Sequence, residues 1–317
     1  MEFRRVEPPQ TQRKKLRKHR HRIRHFGRPG GGRVLGVIFV LVGTIVMLMG
    51  AGVIPMGGGD SDEGSRRMAL VFGGLFAMAG LVAFFASQKA VKRYDRSKEM
   101  LARHPNEPWL ADYEWDSRGI DDGRRRQIRK SFLWAAFAVV WLAPFHWIGL
   151  TGATVALVFM ALFDVAILLL IGHAVYLLLQ QRKYGTSRVE FDRFPYHPGE
   201  TLDVGFTNPS IGAFRALRIT LRHVEDEVKI RGTSKNRRYE VTSYQLYADT
   251  VETTGPGELN RAACPVALSL PLPAEDYTTR LSGRSPRYWE LEVHADKLGV
   301  DYRAVFLLPV YARLEQT

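Results

Sequence analysis

One acid, Asp164, lies inside an unbroken apolar stretch, residues 153–179 (ATVALVFMALFDVAILLLIGHAVYLLL). A carboxylate at the centre of a membrane helix costs about 2.5–3.5 kcal/mol on insertion scales. The surrounding Leu, Ile, Val and Phe are favourable by about 0.3–0.6 kcal/mol each and together outweigh it. Such a helix inserts with the acid in it, so Asp164 calls for a hydrogen-bonding partner or for work as a proton or ion site. Counted from the outer ends of the helices at about 1.5 Å per residue, Asp164 lies about 18 Å deep. Gly43, Thr44, Gly80, Ala138 and Trp141 come to similar depth. The expected donors to Asp164 are therefore Thr44 or Trp141. His146 and His173 fall toward the outer and inner ends and are not expected partners.

Other chemistry is sparse. One cysteine, Cys264, forms no disulfide within the chain, no Cys-based zinc site and no iron–sulfur cluster. His19, His21 and His25 stand among arginines, a poor place for a metal cation. His197, His223 and His294 read as turn or outward-facing strand positions. There is no nucleophile elbow, Walker loop, HExxH or strand-linked GxGxxG. Gly30, Gly31 and Gly32 have no strand before them and no P-loop lysine after them, and read as a flexible joint. Asp112, Glu114, Asp116, Asp121 and Asp122 lack the ligand order of a calcium loop, and pairing with Arg124, Arg125 and Arg126 explains them better. No catalytic residue, metal or cofactor is assigned. The stretch KIRGTSKNRR offers Lys229, Arg231, Lys235, Arg237 and Arg238 as candidate contacts for a partner or lipid; its plain reading is a solvated hairpin loop.

The elements that must carry these residues follow from the apolar and charge patterns. The chain has 317 residues and a net charge of +13. That excess sits in residues 1–33 and 89–130, each with 12 Lys/Arg. Four apolar runs, 34–54, 68–88, 131–150 and 153–179, are long enough to cross about 30 Å of hydrocarbon as helices. The first follows too long a leader to be a cleaved signal peptide and reads as a signal anchor. Lys and Arg crowd the tail, the 89–130 linker and the stretch after residue 181, whereas the loop at 55–67 holds only Arg66 and Arg67. The positive-inside rule then puts both termini in the cytoplasm. The tail's charges set topology, bind anionic lipid, or bind nucleic acid; with a span directly behind it, lipid is simpler than nucleic acid. Gly36, Gly43 and Gly50 on one stripe, with Gly73, Ala77 and Gly80 on another, read as close packing of spans one and two in a hairpin, or else as a dimer interface. Residues 89–103 extend span two as a polar helix until Pro105 and Pro108 stop it. The linker aromatics Trp109, Tyr113 and Trp115 lie in the headgroup belt or dock on the C-terminal domain.

From about residue 184 the period changes to two. Leu217, Ile219 and Leu221 alternate with Arg218, Thr220 and Arg222, and Trp289, Leu291 and Val293 with Glu290, Glu292 and His294. Residues 302–310 are apolar on both faces and read as a central strand. Seven or eight short strands with turn signals between them predict an antiparallel β-sandwich over 184–317, able to fold alone. The segment PNEPWL (105–110) and the ending YWELEVHADKLGVDYRAVFLLPVY (288–311) resemble a group of bacterial multi-pass inner-membrane proteins of unknown function. The strand spacing also loosely resembles arrestin-like and immunoglobulin-like sandwiches. That resemblance implies a bacterial inner-membrane location and no activity. The expected fold class is an α+β membrane protein: a basic tail (1–33), a four-helix domain (34–183) and a cytoplasmic β-sandwich (184–317). The expected role is a non-enzymatic, membrane-anchored module for a protein partner. The alternative is a subunit of a small oligomeric transporter or channel built around Asp164.

Overall fold

The computed structural model describes residues 1–16, 31–55, 63–150, 154–231, 238–281, 285–298 and 301–313. The protein is mixed α/β with antiparallel sheets and divides into two compact units. One is helical, residues 28–96 and 126–178. The other is built from three separate stretches, 1–27, 97–125 and 179–317.

The helical unit is made by α1 (Gly31–Gly50), α2 (Glu63–Arg103), α4 (Arg124–Leu150) and α5 (Thr154–Tyr184). The glycine stripe joins α1 to α2 at backbone contact. A Cβ on Gly73 would lie 2.6 Å from the Gly43 carbonyl oxygen, and one on Gly80 would lie 2.6 Å from the Val40 nitrogen. Small residues permit that approach and the van der Waals contact it brings. The stripe is thus spent inside the hairpin. Rings then tie α4 to this pair: Phe76 stands 5.7 Å from Phe39 and 5.3 Å from Trp141, and Phe72 stands 5.0 Å from Phe145. Among the described residues three helices, not the four expected, are long and apolar enough to cross a membrane by length and composition: Gly32–Gly50, Glu63–Arg103 and Phe163–Tyr184. The helix left out is α4. Its apolar part, from residue 131 on, runs into side chains that lie outside the described residues.

The second unit contains a six-stranded sheet and a four-stranded sheet around one core. In the larger, β1 (Phe3–Gln10), β8 (Arg238–Thr253), β7 (Ala216–Arg231), β11 (Arg287–Asp296) and β12 (Tyr302–Leu308) lie side by side, and β2 (Lys14–Lys15) also pairs with β8. In the smaller the order is β10 (Val266–Pro271), β5 (Thr201–Thr207), β4 (Arg188–Phe191) and β3 (Gly119–Asp121). A two-stranded ribbon pairs β6 (Gly212–Phe214) with β9 (Gly257–Leu259). Period-two alternation produces this directly. Leu202, Val204 and Phe206 of β5 and Val266, Leu268 and Leu270 of β10 are buried, against Leu217, Ile219, Leu221, Leu291, Val293 and Phe306 of the other sheet.

Four readings of the sequence change here. Part of the basic N-terminal segment is strand, on the edge of β8. The linker belongs to the same unit: it supplies β3 and the short helix α3 (Pro108–Asp112). Its aromatics dock on the β fold. Trp115 Nε1 donates to the Tyr311 hydroxyl at 3.1 Å, and Trp109 stands edge-on to Tyr311. With Leu16 and Ile120, Tyr113 and Trp115 cover a second small core of Val224, Leu281, Tyr288 and Leu307. That cover explains the third change. The strand at 302–308 is an edge strand; it is apolar on both faces because Phe306 enters the main core and Leu307 the second one.

Fourth, His223 points inward. It continues the parity of Leu217, Ile219 and Leu221 into the main core, while the next residue, Val224, faces the second core. Tyr277 and Trp289 pack on the imidazole at 5.2 and 5.1 Å, and Nε2 donates to the Thr278 carbonyl at 3.3 Å. Burial pushes its pKa down to about 4; the Thr278 contact opposes this, and Arg287 adds to it.

Two expected outcomes follow. Below about pH 6.5 the unfolded chain binds a proton at residue 223 that the folded chain refuses until about pH 4. This contribution to stability is intact above pH 6.5 and is lost as pH falls toward 4, on the order of 3 kcal/mol in all. Melting of the full chain in detergent, followed by tryptophan fluorescence, should therefore show a pH slope in that window that His223→Gln flattens; an unchanged slope would contradict the burial. Second, residues 184–317 alone lack β1, β2, β3 and the Tyr113–Trp115 cover. The fragment should melt on the order of 10 °C below the same fragment co-expressed with residues 97–125. Equal melting would make the linker a passenger.

Candidate functional site

Within the helical unit, Asp164 is met by His146. The imidazole Nε2 lies 2.9 Å from Oδ1 and 3.0 Å from Oδ2. On its other side, Nδ1 lies 3.0 Å from the Leu142 carbonyl oxygen one turn back in α4. A carbonyl only accepts, so Nδ1 carries hydrogen. The contact between Nε2 and the carboxyl group then needs one more proton, held on nitrogen as an imidazolium–carboxylate pair or on oxygen as an imidazole–carboxylic acid pair. The pair is a proton-holding dyad in either form. Both side chains are half-buried. Their sequence neighbours Phe145 and Phe163 line a wholly apolar groove with Trp134, Trp141 and Leu170.

The expected donors are engaged elsewhere. Thr44 is exposed and gives its hydroxyl to the Val40 carbonyl at 2.8 Å in its own helix. Trp141 sits in the ring ladder, stacked at 5.8 Å on Phe137 and edge-on to Phe76. Depth counted from helix ends misplaces His146 because it assumes level ends. His146 is four residues before the end of α4, whereas Asp164 is ten residues into α5.

The β unit holds its charges in three seams. At the β8 edge, Arg5 grips Asp249 with two hydrogen bonds, Nε to Oδ1 at 3.0 Å and Nη2 to Oδ2 at 2.9 Å; the Asp249 side chain is fully buried. On the outer face of β7, β11 and β12, Arg222 reaches Glu290 at 3.0 Å and also Glu292, which Arg303 contacts from β12. Burial raises the Glu292 pKa, but Arg222 and Arg303 more than offset it and hold the group below the usual carboxylate range. Where the linker enters α4, Arg124 stacks over the Tyr302 ring at 4.7 Å, donates to the Arg303 carbonyl at 2.8 Å and lies 3.2 Å from Asp122. Desolvation raises the Asp122 pKa against the pull of Arg124. Asn208 donates to Ser187 at 2.7 Å, and Ser187 meets the buried Tyr302 hydroxyl.

These buried hydroxyls and carboxylates serve one another. Ser243 and Tyr288 both donate to Asp226 inside the fold. Among the described residues no group of three or more His, Cys, Asp or Glu is placed to hold a metal ion. Of the basic loop, Lys229 is an exposed residue near the end of β7, 3.5 Å from Glu227. Arg231 and Arg238 close the β7–β8 pairing through their backbones, and Lys235 and Arg237 lie outside the described residues. Sequence reasoning missed His146, Arg5 and Asp249. Arg5 carried no signal, because the stretch FRRVEPPQ around it shows no alternation.

No family model matches the chain, and no curated protein is similar to it. Among solved structures, the sporulation control protein Spo0M from Bacillus subtilis matches 40% of this chain at 16% identity and a TM-score of 0.23. The match spans 49% of that protein.

Proposed function

We propose that the protein is a membrane-anchored, non-enzymatic binding module of the bacterial inner membrane, with both termini and the β unit in the cytoplasm. One observation carries the reading: a single β fold is closed by residues 1–27, 97–125 and 179–317. Between the first two lie α1 and α2, and between the last two lie α4 and α5. Segments sharing one fold lie on one side of a bilayer, so an even number of crossings separates them. If α5 crosses, α4 crosses with it, which supports a fourth span. The one-sided Lys/Arg distribution supports the cytoplasmic side for the β unit. Sheet edges and loops are the surfaces such a unit uses to bind. Alkaline phosphatase fused after Thr317 or within the 104–107 turn should be inactive, and green fluorescent protein at either place should fluoresce. Activity of either phosphatase fusion would overturn the topology.

A second reading, a subunit of a small oligomeric proton or ion carrier, is favoured by the His146–Asp164 dyad. A group that holds one proton between two sites inside a span is the chemistry a proton path requires. Purified protein in liposomes should then dissipate an imposed pH gradient, and Asp164→Asn should remove at least tenfold of that flux while the protein still folds. Flux that is absent in the parent or unchanged in the variant leaves the dyad a packing contact.

A further inference from the structure

The long edge of the larger sheet belongs to β8, and the chain covers it with its own first residues. That cover is thin. Every residue of β1 except Phe3 is exposed. The pairing with β8 shifts register twice within eight residues, and Pro8 and Pro9 bring no N–H to it. Two side chains do the holding. Phe3 packs on the rim of the main core, and two residues on, Arg5 makes the bidentate contact to Asp249. Period two puts both on the same face of the strand. Further along, Arg13 lies 4.0 Å over the Tyr244 ring and 3.0 Å from Glu227, and β2 pairs with Gln245 and Tyr244.

The receptor side is fixed more firmly than the ligand side. Asp249 sits in the β7–β8 ladder opposite Leu221, with its side chain wholly buried, whereas the Arg5 side chain is 45% exposed. A buried carboxylate without a cation is costly, so the edge demands a guanidinium from whatever strand lies on it. Main-chain hydrogen bonds to a sheet edge supply affinity for any extended segment, and side-chain positions supply the choice.

We propose that the β8 edge is a strand-addition site that selects an extended segment of another protein with an aromatic residue, one spacer and an arginine, followed by basic residues. Residues 3–15 are its resident, exchangeable occupant. The proposal rests on the binding-module reading and names the kind of partner that module takes.

The test uses the full chain in detergent with a protease site placed within residues 17–30. Cutting the folded protein turns the arm into a separable strand, so no truncated chain has to fold. A fluorescent peptide of residues 2–15 is then added in excess. The expected result is replacement of the cut arm by labelled peptide at one per chain. Arg5→Ala in the peptide should weaken binding at least tenfold, Phe3→Ala should weaken it, and Arg5→Lys should fall between, since it keeps charge and loses the fork. An arm that never exchanges, or a peptide whose binding ignores residue 5, overturns the proposal. So does an uncut dimer that dissociates on cutting, because the occupant is then a second copy's arm. Each of these leaves the fusion result, and with it the anchored-module reading, standing. A phosphatase-active fusion sinks that reading without touching the exchange.

Discussion

The constraint on which the rest depends is that one β fold is closed by three stretches of chain, with two helices between each pair. A chain that leaves a fold and returns to it twice fixes where its segments lie before any side chain is considered. The helices α1 and α2 answer that constraint with a glycine seam, which lets the outward and returning helices run at backbone contact. The linker answers it with Pro105 and Pro108, which end the long helix at Arg103. The aromatics that follow, Trp109, Tyr113 and Trp115, then seal the returning segment against Tyr311, Tyr288 and Leu307.

At each entry into the β fold an arginine pairs with acid. Arg5 is carried by the N-terminal stretch to Asp249. Arg188 at the start of β4 reaches Asp116 and Asp121 of the linker at 2.9 and 3.0 Å. Arg124, at the start of α4, reaches Asp122 and the Tyr302 face. The three differ in what removal would expose. The Arg188 contacts are mostly solvated, and such pairs contribute little. Asp249 and Asp122 are buried, so losing either arginine would leave a desolvated carboxylate. At Asp249 the planar fork of Arg5 suits this task better than an ammonium, because it meets both carboxylate oxygens at once.

The legible part of the fold is the part written as apolar periodicity. Runs of twenty apolar residues mark α1, α2 and α5, and alternation marks β7 and β11 with the correct inward faces. The arm was not legible because FRRVEPPQ has no alternation to read: its strand is imposed by the β8 edge, with one ring and one guanidinium as anchors. The strand β12 was misplaced for the opposite reason. Two-sided apolarity signals cover on both faces, and here the second cover is the linker, far earlier in the chain, in place of a neighbouring strand. His146 escaped because sequence gives depth only if helix ends are level, and His223 because a polar residue type overrode its own parity.

The two polar contacts that the sequence hid, His146 with Asp164 and Arg5 with Asp249, differ in the partner that can leave. In the dyad both groups are fixed on long helices, and the exchangeable member is the proton between them, since Nδ1 is already committed to Leu142. At the sheet edge the carboxylate is fixed, and the exchangeable member is the whole strand that brings the guanidinium. A purely apolar anchor at that place would hold any extended segment of the right shape, because burial is non-directional. The buried acid changes this. A strand without arginine gains the same main-chain bonds and still leaves Asp249 desolvated, so its loss is set by the acid and not by its own missing contact. Selectivity at the edge is therefore built into β8 itself, and the arm that covers it needs only a ring, a spacer and an arginine to be the right one.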